Sequence, residues 1–281
     1  MRQDWVPREV AGAVALDETY FAILTPVGRI WAIAPVRGEA SLLREIHAGI
    51  EARYQRGDRI VYLGDIIGVG RDVVGAVDEV LRFRRWVLAQ PPFTHPDDVV
   101  VLRGSQEEMW QRVLQLQFAV DPVAVMVWMG ERGLAATLAA YAGDAQQDLL
   151  GQRAGPLTIA QWTGSVRSAM AGNAGHVAFM SALKRAAYTA DEKLLFVNAG
   201  LDTGRSVENQ SDSFWWAGRS FTNISAPYAN FAKIVRGFDP DHGGYLETAY
   251  TLTIDGGCGF DGPLLAVCLS PEGEVEERLE A

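Results

Sequence analysis

The chain has 281 residues, 48% hydrophobic and 21% charged, with a formal net charge of −10. This length and apolar share suit one globular domain over 1–281 with a sizeable core. The acidic balance argues against a general nucleic-acid or anionic-membrane binder, which needs a dominant positive field.

No apolar run reads as a bilayer span, and the opening MRQDWVPREV is followed by no apolar stretch of a signal peptide. A cytoplasmic protein is therefore expected, with neither membrane nor nucleic acid as partner. The two cysteines, Cys258 and Cys268, lie in strand-like runs and are expected as buried, reduced thiols rather than a disulfide or metal site.

In chain order, two short strands are expected at Tyr20–Leu24 and Arg29–Ala34, joined by a Thr-Pro-Val-Gly turn. Ser41 reads as the N-cap of a helix reaching about Tyr54, with Leu42, Leu43, Ile46 and Ile50 at helical spacing. Asp58–Leu63 is a strand ending in Gly64-Asp65, Asp72–Leu88 a helix stopped by Pro91-Pro92. A further strand, Asp98–Leu102, ends in Arg103-Gly104, and Gln106–Leu116 is helical. About 122–188 reads as a mostly helical insertion. Strands return at Leu194–Val197, Ala232–Val235 and Thr248–Ile254. A hairpin then spans Leu264–Leu269 and Val275–Leu279, turning through Pro271, Glu272 and Gly273.

The repeated unit is an apolar strand closing on a glycine-containing loop. In an α/β sheet such ends gather at one edge and form a ligand crevice, where small residues allow close backbone approach.

The loops resemble, in order and spacing, those of calcineurin-like metallophosphoesterases of the phosphoprotein-phosphatase branch. That branch includes bacterial serine/threonine phosphatases and diadenosine tetraphosphate hydrolases. Val61–Asp72 (VYLGDIIGVGRD) resembles the GDxxDRG loop, Val101–Met109 (VLRGSQEEM) the LRGNHEEM segment, and Leu195–Asp202 (LFVNAGLD) the LFVHAGLD strand. Val235–Pro240 (VRGFDP) resembles VHGHTP, and Ile254–Cys258 (IDGGC) resembles IDTGC. Trp128 with Gly133, Thr137, Leu138 and Tyr141 is similar to the WxxNGGxxTLxxYG helix, and Asp212–Trp216 to DDLLW. The resemblance spans about Arg29 to Val275. It implies an α/β sandwich of two mixed β-sheets flanked by helices, with a helical insertion.

The resemblance also implies a pair of divalent metals such as Mn or Fe/Zn, and here the residues depart from the pattern. Position by position, the Asp and His of GDxHG fall on Pro35 and Arg37, the Asn of GNHE on Ser105, and the two late histidines on Asn198 and Phe238. Asp65 alone keeps a ligand position. The general-acid His falls on Gln106, its carboxylate partner on Gly68, and a phosphate-gripping Arg on Val69. The second such Arg falls near Ala217, with Arg71 and Arg219 at shifted positions. A dinuclear hard-cation site needs carboxylate and imidazole ligands to activate water, and loss of the acid alone costs about 10²–10⁴ in rate.

The expectation is therefore a catalytically inactive pseudophosphatase, without a metal cofactor, that works as a binding or regulatory protein. The alternatives are a residual metal-dependent phosphoesterase, acting on a phosphoprotein or a dinucleoside polyphosphate, and a structural subunit of an oligomer. The expected partner is a protein, the alternative a phosphorylated ligand held by Arg37, Arg103 and Arg236.

Arg37 is either a guanidinium standing in for the lost cation beside Asp65 or a solvated loop residue. Phe238 is expected to fill the space a metal would take. Trp215-Trp216 are either core residues or an exposed anchor. His47, His95, His176 and His242 fall on no motif position and read as surface or capping residues. Asp239, Asp241 and His242 form a local cluster whose Gly-rich turn reads as loop chemistry.

Overall fold

In the computed structural model, which describes residues 17–25, 28–90, 95–143 and 155–281, two sheets carry the chain. The first is built from β11 (Val275–Glu280), β10 (Leu265–Leu269), β2 (Ile30–Ile33), β3 (Arg59–Tyr62) and β4 (Val99–Val101), side by side in that order. Strands β2, β3 and β4 run parallel, and the β10–β11 hairpin adds antiparallel to β2.

The second sheet has the order β1 (Phe21–Leu24), β5 (Ala186–Thr189), β6 (Leu194–Val197), β7 (Lys233–Arg236), β9 (Thr251–Asp255) and β8 (Gly244–Glu247). Its β6, β7 and β9 are parallel. The expected α/β sandwich of two mixed sheets is thus present.

Burial follows strand periodicity. In β6, Leu194 and Phe196 join the main core while Leu195 and Val197 enter a second cluster with Phe214, Trp215, Phe221 and Phe231. Alternate side chains face opposite sides of a sheet, so a strand covered on both faces reads as a continuous apolar run. The main core continues across β2, β3 and β4 onto helices α1 (Ala40–Glu51) and α2 (Val73–Leu88). Asp72 caps α2, accepting from the Gly75 amide at 2.8 Å, the helix-start chemistry that its sequence position predicts.

Several expectations are corrected. The strands joined across Thr-Pro-Val-Gly belong to different sheets, β1 pairing with β5; Pro26 and Val27 of that turn, and Pro91-Pro92 after α2, lie outside the described residues. Ser41 is not the N-cap of α1: the helix starts at Ala40 behind Glu39, and no side chain caps it. The helical insertion ends before β5, whose Ala-Ala-Tyr-Thr is fully buried and parallel to β1. Strand β8 is an addition, and β9 starts at Thr251 because Thr248 closes a turn through its hydroxyl.

The run Pro122–Ala142, 21 residues with mean hydropathy 1.3, is long and apolar enough by composition to cross a membrane, contrary to the expectation. It is broken into α4 (Pro122–Met129) and α5 (Ala135–Ala142). Between them Arg132 (φ −101°, ψ 18°) and Gly133 (φ 96°, ψ −1°) leave helical geometry. Gly133 is required there, since a Cβ would stand 2.4 Å from Val69 Cγ1 at a φ that side chains rarely adopt.

Candidate functional site

The carboxyl ends of β2, β3, β4, β6, β7 and β9 meet at one edge and are stitched together by their backbones. The Arg37 amide donates to Asp65 O at 2.7 Å, Gly70 to Arg37 O at 2.6 Å, and Phe238 to Asn198 O at 2.7 Å. Glu107, near the start of α3 (Ser105–Val113), holds the loop after β3 from below. Its buried carboxylate accepts from the amides of Gly104 (2.8 Å), Asp65 (2.9 Å), Ile66 (2.7 Å) and Ile67 (3.2 Å). Burial, then the Asp65 charge, raises the Glu107 pKa, and the amides partly offset both.

Asp65 sits in left-handed backbone at φ +50°, uncommon for a residue with a side chain, and is buried. Its Oδ1 accepts from Ser105 Oγ (3.1 Å) and the Gln106 amide (2.8 Å) at the N-terminus of α3, and its Oδ2 from Asn198 Nδ2 (3.1 Å). Asn198 Nδ2 also donates to Leu63 O at 2.7 Å, which fixes the amide with its NH2 toward the carboxylate. The residues at two expected metal-ligand positions, Ser105 and Asn198, thus supply protons to the remaining carboxylate rather than lone pairs to a shared cation.

Arg37 is neither solvated nor paired with Asp65. Also left-handed, at φ +49°, it is buried and forks onto Asp255, with Nη1–Oδ1 3.0 Å and Nη2–Oδ2 2.8 Å, and donates to Cys258 O at 2.9 Å. Its guanidinium carbon lies 5.7 and 5.4 Å from the Phe238 and Phe260 ring centres.

Asp255 further accepts from the amides of Asp239 (2.9 Å) and Gly257 (3.1 Å) and from His242 Nδ1 (2.9 Å). Burial alone would raise its pKa. The His242 hydrogen bond and the Arg37 guanidinium outweigh burial and hold the carboxyl well below its usual range. A bidentate pair is the geometry a guanidinium favours, and this one ties the loop after β2 in one sheet to the end of β9 in the other.

The other expected residues are placed as follows. Pro35 is buried against Gly237, and Gly68 packs beside Gln106 with φ +142°. Phe238, half-buried, lines the cleft with Val69 and Gln106. Arg71 and Arg219 are exposed and line no part of it.

The trio expected to hold a phosphorylated ligand is not a trio. Besides Arg37, Arg236 is fully buried and donates to Thr253 Oγ1 (2.9 Å) and Gly218 O (2.7 Å), with Asp239 Oδ1 at 3.1 Å. Arg103 pairs with Glu108 at 3.2 Å, under the Trp215 ring. Internal acceptors have taken the cations that a phosphate would need.

The histidines are corrected too. His95 does cap, for the short turn Pro96–Asp98. His47 and His176 are buried: His47 lies between Glu79 and Tyr62, and His176 between Tyr141 and Asp78. His242 reaches the site through Asp255 and stacks on Phe260 at 4.8 Å. Trp215 and Trp216 part company, the first buried and the second 46% exposed at the cleft rim. Cys258 and Cys268 are both free and buried, Cys258 in the loop after β9 rather than on a strand; burial pushes both thiols up to about 12.

The cleft over these loops holds about 670 Å³ and is roofed by the α4–α5 break. The residues present do not fit a pair of divalent ions. Asp65 accepts three hydrogen bonds from protein donors, a guanidinium holds Asp255, and proline and phenylalanine at the expected positions carry no ligand atom. Among the described residues no three His, Cys, Asp or Glu side chains group closely enough to hold a metal ion.

Neither a family model nor a curated protein sequence matches the chain. Solved structures do. A protein assigned as a diadenosine tetraphosphatase is 15% identical, with a TM-score of 0.53 over 93% of this chain and 98% of the other. A Saccharomyces cerevisiae serine/threonine phosphatase is 12% identical, with a TM-score of 0.45 over 92% of this chain and 80% of its own. A metallophosphoesterase from Sphaerobacter thermophilus is 15% identical, with a TM-score of 0.42 over 90% and 88%. At these identities the likeness concerns the fold, which is the calcineurin-like phosphoesterase fold.

Proposed function

We propose that this chain is a pseudophosphatase, a protein that keeps the phosphoesterase frame and works by binding rather than by hydrolysis. The observation that carries this reading is the Arg37–Asp255 fork, with Asp65 saturated by Ser105, Gln106 and Asn198. Arg37, Arg103 and Arg236 are each taken by a carboxylate within the chain, and the Asp65 carboxylate is met by three neutral donors. Gln106 cannot donate a proton to a leaving group as an imidazolium does.

The partner we propose is a protein, met by the insertion and the turn leading into it. Phe118 and Val120 just before the insertion, and Val127 and Trp128 within it, are 81%, 105%, 48% and 41% exposed, and apolar exposure of this kind marks contact surfaces.

The test is turnover of p-nitrophenyl phosphate by metal-stripped and Mn²⁺-loaded protein, alongside Asp65→Asn. The expected result is no release above the uncatalysed rate in any sample. Metal-dependent turnover that Asp65→Asn abolishes would instead establish the residual phosphoesterase.

A further inference from the structure

We infer that the cleft takes a flat, uncharged aromatic ligand bearing an N–H donor, such as an aromatic amide or a nitrogen heterocycle. This rests on the binding reading above and adds the class of ligand. The volume of about 670 Å³ falls within the range of small-molecule sites, which are mostly apolar with a few placed polar groups.

Its walls are rings. Phe260 and His242 stack at 4.8 Å, Phe238 stands edge-on to His242 at 6.1 Å, and Trp216 lies at the rim. Faces and edges so arranged receive another flat ring in offset or edge-to-face contact.

One acceptor is set among them. Gln106 is 8% exposed, and its Nε2 is held by Arg132 O at 2.8 Å, which fixes the orientation of the amide. Its Oε1, buried at the cleft, accepts no hydrogen bond among the described residues. Buried acceptors are seldom left unpaired, and a ligand N–H completes this one.

Charge does not favour an anion. Arg37 and Arg132 line the cleft against Asp65 and Glu131, while Asp255 beneath neutralises Arg37, so three carboxylates face two guanidinium groups. A phosphate or carboxylate ligand would find no free partner on the floor.

The test is a ligand-observed NMR titration of the full chain with benzamide, N,N-dimethylbenzamide and phenyl phosphate, free phosphate being assayed in the same tubes. Benzamide is expected to bind at least fivefold more tightly than either of the others, and Gln106→Leu should remove that preference. Equal binding of the two amides, a preference that survives Gln106→Leu, or tightest binding by phenyl phosphate would overturn the assignment. Release of phosphate would count against the non-catalytic reading instead, since the ligand class is decided by the order of affinities alone.

Discussion

Arg37 and Asp255 form a buried pair with two parallel hydrogen bonds, and its two members hang from different sheets. Removing one partner of such a pair strands a charge in the interior, at a cost of about 3–5 kcal/mol. Arg37→Leu is accordingly expected to lower the unfolding free energy by that amount in urea titrations. Arg37→Lys should recover only part of it, because one ammonium cannot reproduce the planar fork. A loss below about 1 kcal/mol for Arg37→Leu would mean that the pair holds nothing together.

That an arginine stands at the site was legible in the sequence, from its position where the resemblance puts histidine. Its partner was not. Asp65 is the conspicuous carboxylate in the motif, yet three neutral donors consume it, and nothing local in Ile254-Asp-Gly-Gly-Cys258 says that Asp255 faces a loop 218 residues earlier in the chain. The same blindness to long-range geometry hid His242, which is a turn residue by composition and a cleft residue by folding.

Among the elements, α1 and α2 are joined through the core by His47 and Glu79, 2.5 Å apart, with Tyr62 of β3 donating to the second ring nitrogen at 2.8 Å. A neutral imidazole satisfies both contacts, giving its proton to Glu79 and accepting one from Tyr62. Burial lowers the His47 pKa, a shift that Glu79 only partly reverses. For Glu79, burial acts upward, but hydrogen bonds from His47 and Arg82 prevail and bring it to about 2.

Both shifts act in the same direction. The unfolded chain protonates His47 as pH falls below about 6.5 and Glu79 below about 4.5, while the folded chain resists, so each contribution is complete above those values and lost on acidification. Glu107, whose pKa is raised, acts in the opposite sense and loses stability as pH rises through its shifted range. Comparison with a variant isolates the His47 share: unfolding free energy should fall from pH 7 to pH 5 more steeply in the unsubstituted protein than in His47→Gln. Parallel profiles would show that the helices are not linked by this network. The strands and helices themselves were readable from periodicity, and their ends less so. Ser41 looks like a cap and is not one, because the chain enters α1 two residues earlier than its polar pattern implies.

In the molecule as a whole, the strand ends of both sheets converge on a cleft whose floor is built from internal pairs. Phe238 and Phe260 flank a guanidinium, and the Asp65 carboxylate is met by an amide, a hydroxyl and a helix N-terminus. The frame was legible because the spacing of strand-end loops sets where backbone can approach backbone. The new pairing at the floor depends on atoms far apart in sequence.

The measurement that bears most directly on this account is metal content after equilibration with excess Mn²⁺ and removal of unbound ion, by elemental analysis of the full chain. The account predicts no bound Mn²⁺ at the cleft, with the same value in Asp65→Asn. Stoichiometric Mn²⁺ that Asp65→Asn removes would contradict it.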